Sequence, residues 1–289
     1  MTADADFAAS KDHKGENFPV ASVLIARKHR PLVMAFYRVA RMSDDVADNA
    51  EASPQAKLAR LSVIEASLKG ESDEVPESVA LRAALAERGL GVEHPLDLLT
   101  AFKRDVTQTR YADWADLMDY CRYSAAPVGR FLLDVHGEDR ATWPASDALC
   151  SALQVINHLQ DCAEDYREID RVYLPQDALD AAGTSLEALT APAASPELRA
   201  ALKGLTEKTQ DLLAVSKPFA AQVKDLGLAL EIGVIQTLAE SLTRRLLTRD
   251  PLSQRVHHSK WEVLPIALAG AAFALGGRLG SRQAALARP

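Results

Sequence analysis

The sequence predicts an all-α fold, and three observations carry that expectation. Apolar residues recur at three-to-four spacing through nearly every segment, the period of an amphipathic helix. No run of alternating β-branched residues bounded by turn signals is present. Gly and Pro, 14 of each in 289 residues, fall below the roughly 12% of average usage, so the chain is thinly punctuated and favours long helices. The spacing predicts helices over Pro19–His29, Pro31–Asn49, Pro54–Leu68, Glu77–Arg88, Pro95–Thr107, Trp114–His136, Ser146–Glu168, Ser185–Ala191, Ser195–Phe219, Leu226–Thr248 and Lys260–Leu279. Pro31, Pro54 and Pro95 stand where a first helical turn tolerates proline, and Ser53 and Ser195 are placed to cap. The weakest segments, Glu71–Val75 and Gly183–Pro196, do not separate two apolar cores. One domain over residues 1–289 is expected, with its core at about 13–260. Helices of this number pack as a bundle whose ligand sites lie between facing helices.

Composition narrows the function. Hydrophobic content of 48% with 25% charged residues is ordinary for a globular chain. The net charge of −7 argues against a sequence-independent grip on nucleic acid. Three cysteines, Cys121, Cys150 and Cys162, form no CxxC pair, so a reducing compartment is expected. Residues 1–12 are polar and acidic, with neither the basic nor the apolar region of a secretory signal. A cytoplasmic location follows as an expectation. The longest apolar stretch, Val263–Leu275, contains Pro265 and is shorter than the roughly 20 residues that span a bilayer. It is expected as a buried closing helix, with peripheral membrane contact as the second reading.

Two polar segments break the apolar pattern. In Tyr37-Arg-Val-Ala-Arg41-Met-Ser-Asp44-Asp45-Val-Ala-Asp48, Tyr37, Arg41, Asp44, Asp45 and Asp48 share one helix face. Like charges at this spacing cost about 0.2–0.5 kcal/mol per pair, so something should offset the repulsion. A solvated acidic face helped by Arg41 would do so, and so would a divalent cation, since Mg²⁺ takes one or two carboxylates and completes its shell with water and phosphate oxygens. The second segment runs from Gln154 through Asn157, Gln160 and Asp161 to Asp165. Asn157, Asp161 and Asp165 follow at i, i+4 and i+8, a ladder of oxygen ligands on one face. Leu153, Val155, Ile156 and Leu159 require that helix to be largely buried, and buried carboxylates want metal or cationic partners. Arg167 and Arg171 follow at once, in Asp165-Tyr-Arg-Glu-Ile-Asp-Arg171-Val-Tyr173-Leu-Pro175. They are suited to a diphosphate rim or to ordinary pairing with Glu164 and Glu168.

Together these residues resemble the squalene/phytoene synthase family, with its Asp-rich DxxxD on one helix, NxxxDxxxD on another and a following R-[IV]-Y-[LF]-P-like turn. The resemblance runs from about His13 to about Lys260 and takes in Phe102-Lys-Arg-Asp105, Arg110-Tyr111 and Tyr120-Cys-Arg-Tyr-Ser124-Ala-Ala-Pro-Val-Gly129. Glu16-Asn17-Phe18-Pro19 looks like the hydroxysqualene synthase branch, as does neutral Gln160 where condensing members commonly carry Arg.

The resemblance implies an isoprenoid-synthase-like bundle with a central cavity and the ionisation of presqualene diphosphate, with water capture to hydroxysqualene. It implies catalytic Asp44, Asp48, Asp161 and Asp165; a Mg²⁺ ligand set of Asp44, Asp48, Asn157, Asp161 and Asp165; and no need for NADPH. It places substrate contacts at Asn17, Phe18, Tyr37, Arg41, Asp45, Tyr120, Ser124, Gly129, Gln154, Gln160, Arg171 and Tyr173. The product would pass to other squalene-pathway enzymes. Head-to-head condensation of two prenyl diphosphates, and a non-catalytic helical lipid carrier or scaffold, are the alternatives.

Overall fold

A computed structural model describes residues 26–286, with side chains to Leu279. Among the described residues every regular element is helical. The α-helices are α1 (Arg30–Asp48), α2 (Pro54–Lys69), α3 (Pro76–Ala86), α4 (Glu93–Thr107), α5 (Trp114–Ser124), α6 (Ala126–His136), α7 (Trp143–Ile169), α8 (Gln176–Ala182), α9 (Pro196–Ser216), α10 (Phe219–Gln222), α11 (Leu226–Thr248) and α12 (Lys260–Leu286). Helix starts follow their capping chemistry. Ser53 Oγ accepts from Ala56 N–H and Ser195 Oγ from Leu198 N–H, each just before a proline. Asp113 and Asp225 cap α5 and α11 in the same way.

Where the observed elements differ from the expected ones, proline accounts for most of it. The single helix expected over Trp114–His136 is two, α5 and α6, because Pro127 has no N–H to donate and its ring crowds the preceding turn. Ala125, at φ −121° and ψ −48°, takes up the bend. The helix expected to reach Phe219 stops at Ser216, two residues before Pro218. The seven-residue α8 was not expected, and Ser185–Ala191 contains only a 3-10 turn, Leu186–Thr190. Most of the helix expected over Pro19–His29 lies outside the described residues; its described end is a turn leading into α1.

The last helix meets one expectation and corrects another. α12 continues through Pro265, and it does not close the bundle as a buried element. Gly270 and Ala274 pack on α11, where a Cβ added to Gly270 would stand 2.5 Å from the Gly233 carbonyl oxygen. The opposite face is open to solvent, with Trp261 91%, Leu264 66% and Leu268 65% exposed. A helix apolar on every side has no polar face to mark which side is buried. Pro265 is tolerated because the carbonyl it leaves without a donor belongs to exposed Trp261.

Two apolar clusters form the interior. One joins α1 to α4 with Phe131 and Val135 of α6, through Leu32, Phe36, Leu61, Ile64, Leu81 and Leu98; the Phe36 and Phe131 rings stack at 4.0 Å. The other gathers α5, α7, α9 and α11 through Leu117, Leu149, Ile156, Leu205, Ile232 and Leu242. α7 packs against α5, α6, α9 and α11. Gly129 lets α6 approach it, since a Cβ there would stand 2.4 Å from Ser146 Oγ and 2.7 Å from Cys150 Sγ. We expect Gly129→Val to destabilise by about 1–3 kcal/mol through overpacking, read as a lower urea midpoint at unchanged m-value.

Candidate active site

The acidic face of α1 is organised by Arg41, whose guanidinium holds Asp44 at 2.8 Å and Asp45 at 2.6 Å. These are i, i+3 and i, i+4 partners, so helix periodicity alone brings them together. Asp48, one turn on, is held from elsewhere in the chain. Its carboxylate meets Arg171 Nη1 at 3.0 Å, a contact spanning 123 residues. Lys57 of α2 stands close by, with Nζ donating to the Ala47 carbonyl.

Arg171 reaches Asp48 because α7 ends abruptly. Asp170 adopts φ 50°, the one positive φ at a non-glycine among the described residues. Arg110 grips its carboxylate and its carbonyl. The chain then runs along the segment before α5, with Val172 N–H donating to Thr109 O and Gln176 N–H to Tyr111 O. Arg171 is thereby buried at 6% exposure. Its Nη2 donates to the Asp105 carbonyl and its Nη1 to the Tyr173 hydroxyl, while Nε lies 3.9 Å from the Asp105 carboxylate. Tyr173 and Tyr120 donate their hydroxyls to the two carboxylate oxygens of Asp105 at 3.2 and 3.0 Å. α1, α4, α5 and the segment after α7 therefore meet in one polar seam between the two apolar clusters.

The ladder on α7 borders the same seam. Burial, the neighbouring Asp161 carboxylate and, beyond the pull of Arg171, Asp48 push Asp165 up to about 7. Burial and Asp48 push Asp44 up to about 7 against the pull of Arg41. Asp48 thus acts on carboxylates of both helices, so the α1 motif and the end of the α7 ladder border the same seam. Burial also raises Asp105, to about 6. His158 stacks on Tyr173 at 3.5 Å between ring centroids, and burial with the Arg171 charge pushes it down to about 3, so it is neutral. Gln160 is 8% exposed with neither amide oxygen nor nitrogen hydrogen-bonded. An unpaired buried amide costs about 1–3 kcal/mol, the kind of expense found where a ligand is to be met.

Of the residues expected from the sequence, Arg41, Asp44, Asp45, Asp48, Asp165, Arg171, Tyr120 and Tyr173 are joined by these contacts and fields. Asn157 and Asp161 lie on the same face of α7, and Gln154 stands one turn before His158. Tyr37 is half-buried one turn before Arg41. Ser124 ends α5 with its hydroxyl unpaired, and Gly129 serves the approach of α6 to α7 instead of facing the seam. Asn17 and Phe18 lie outside the described residues. Asp105, His158 and Lys57 carry no role in the sequence reading. Asp105 was findable, because it sits at i+7 from buried Leu98 and i+4 from buried Ala101, a carboxylate on the apolar face of α4.

The donor set suits a hard divalent cation. Among the described residues no three His, Cys, Asp or Glu side chains form a ready-made chelate. The carboxylate and amide oxygens of the two motifs are the hard donors that Mg²⁺ takes, one or two carboxylates at a time with water and phosphate oxygens completing the shell. The raised carboxyls set the sign of the pH dependence. Between the ordinary carboxylate value of about 4 and about 7, the folded chain holds protons that the unfolded chain has released, so cation-free stability falls as pH rises. A cation has to displace those protons, so its stabilisation grows across the same window. Mg²⁺ should therefore raise the melting temperature more at about pH 8 than at about pH 6, in differential scanning fluorimetry; equal shifts would exclude these carboxyls as ligands.

The squalene/phytoene synthase family profile matches residues 11–262. The chain belongs to that family. The hydroxysqualene synthase of Rhodopseudomonas palustris is 53% identical to it over 257 residues, 89% of this chain and 88% of that protein. The hydroxysqualene synthase of Zymomonas mobilis is 53% identical over 270 residues, 93% and 91% of the two chains. Among solved structures, the squalene synthase HpnC of Alicyclobacillus acidocaldarius is 31% identical with a TM-score of 0.69, covering 78% of this chain and 85% of that one. In this squalene/phytoene synthase family member the matched stretch holds both aspartate motifs, Asp105 and Arg171, and it ends in the first turn of α12.

Proposed function

We propose that the chain is a hydroxysqualene synthase, ionising presqualene diphosphate and capturing the cation with water to give hydroxysqualene and diphosphate. The observation that carries this reading is the seam itself, where Arg171 holds Asp48 of α1 and the Asp48 charge raises both Asp44 beside it and Asp165 of α7. The half-identical hydroxysqualene synthases support the choice of reaction within the family. Mg²⁺ held by Asp44, Asp48, Asn157, Asp161 and Asp165 would neutralise charge on the departing diphosphate.

The chain's own groups do the rest. Arg41 and Arg171 supply the positive charge of the rim, Arg171 pre-oriented by Asp48, Asp105 and Tyr173. The bond from carbon to diphosphate oxygen breaks, and its electron pair leaves with the diphosphate. Bulk water has to be kept away while the cyclopropylcarbinyl cation rearranges. One water then adds to carbon and passes its proton to the released diphosphate. Neutral Gln160 lines α7 where condensing members carry a further diphosphate-facing charge, in keeping with one leaving diphosphate instead of two. The hydroxylated product then goes to the reductive step of squalene formation on another enzyme, so no hydride donor is needed here.

The test is an incubation of the purified protein and Mg²⁺ with presqualene diphosphate, and separately with farnesyl diphosphate, without NADPH, followed by mass spectrometry of the extracted lipid. Hydroxysqualene from the first and nothing from the second is expected. Presqualene diphosphate or a longer hydrocarbon from the second would make the protein a condensing synthase.

A further inference from the structure

We infer that α12 lays its outer face on an anionic lipid bilayer, with the helix in the plane of the interface. The inference goes beyond the proposed reaction and rests on a surface remote from the aspartate seam. Trp261, Leu264, Leu268, Leu275 and Leu279 are all exposed, and at 3.6 residues per turn they fall on one stripe. At 1.5 Å per residue the stripe is about 27 Å long. Between these residues it shows Pro265, Ala272 and Gly276, and no polar side chain interrupts it. Isolated exposed leucines are ordinary, but a continuous stripe of this length marks a docking surface.

The charge pattern selects the occupant. Residues 255–289 carry five Lys and Arg against one Glu, whereas the whole chain has a net charge of −7. That one carboxylate, Glu262, is already paired with Arg245 at 2.5 Å. Arg255 and Lys260, both exposed, precede the stripe, and in sequence Arg282 and Arg288 follow it, while Arg278, beside its last leucine, gives its guanidinium to the Val223 and Lys224 carbonyls. An apolar face with basic residues at both ends and a tryptophan at its rim is built for an acidic headgroup layer over acyl chains. A second copy of the chain would bring like charges together at both ends of the stripe. A membrane-crossing α12 would have to give up its backbone contact with α11 at Gly233 and Gly270. Beside the stripe, a groove of about 480 Å³ lined by Lys217, Pro218, Ala221, Phe273 and Gly277 offers room for the end of one acyl chain.

Flotation of the full chain with vesicles of phosphatidylcholine alone, and of phosphatidylcholine mixed equally with phosphatidylglycerol, tests the inference. The wild type should float with the mixed vesicles and about tenfold less with the neutral ones or at high salt. The double variant Leu264→Glu and Leu268→Glu should float about tenfold less than the wild type on the mixed vesicles. Both substitutions fall at exposed positions, so its circular dichroism and its activity on detergent-dispersed substrate should be unchanged. Equal flotation of variant and wild type would overturn the inference. So would a wild type that floats on neither vesicle, one that resists an alkaline carbonate wash as a membrane-spanning protein does, or one that forms a dimer by light scattering which the double variant dissolves. A protein that floats as expected but makes no hydroxysqualene would refute the proposed reaction and leave this inference standing.

Discussion

Asp161→Asn is expected to lower diphosphate release from presqualene diphosphate by about a thousandfold or more, equivalent to about 4 kcal/mol of transition-state stabilisation. The fold should be kept. Asp161 stands at the middle of the α7 ladder, and its charge raises the neighbouring Asp165 carboxyl. An amide there keeps the shape and one oxygen but removes a negative charge from the cation site. It also removes a repulsion worth about 0.2–0.5 kcal/mol, so the melting temperature without Mg²⁺ should stay level or rise slightly. Loss of activity together with undiminished stability is the signature of a residue kept for chemistry. A variant retaining more than about a tenth of wild-type turnover, which is less than 1.4 kcal/mol lost, would remove Asp161 from the ligand set.

Asp105→Ala should have the largest effect on stability, about 3–5 kcal/mol, the cost of leaving a buried charge without its partner. Arg171, 6% exposed, would keep Asp48 but lose the neighbouring carboxylate, and Tyr120 and Tyr173 would lose the acceptor of both hydroxyls. Asp105→Asn preserves the shape and one acceptor, so a smaller loss of about 1–3 kcal/mol is expected. The two variants can be ranked by urea unfolding. Because burial raises the Asp105 carboxyl to about 6, the wild type gains stability as the pH falls from about 7 towards 4 and the Asn variant does not, so the deficit of the Asn variant should grow across that window. Asp105 is a positioning residue, acting through Arg171. Its Asn variant should therefore show a raised KM for the diphosphate substrate as well as reduced turnover. A loss under about 1 kcal/mol for the Ala variant would mean that water replaces the carboxylate in the seam.

Much of the fold was legible because its signals are local. The three-to-four period, Ser53 and Ser195 as caps, and prolines at first turns describe interactions within a few residues, and the helices formed where those signals stand. Pro127 was equally local, and its break between α5 and α6 could have been read from the missing N–H. The two aspartate motifs were legible for the same reason, since i, i+4 and i+8 spacing fixes a shared helix face whatever the helix packs against.

By itself, then, the sequence determined the helices, the faces on which the charges lie and the family to which the chain belongs. Tertiary structure alone decided which faces meet. That Asp48 should be held by Arg171 depends on the left-handed turn at Asp170 and on the backbone bonds from Val172 and Gln176 to the segment before α5. That Asp105 should become the acceptor for two tyrosines depends on α4 and α5 packing side by side. The outward face of α12 was also beyond the sequence. A helix apolar all round carries no pattern to say which side is covered, and only the close approach of Gly233 and Gly270 selects it.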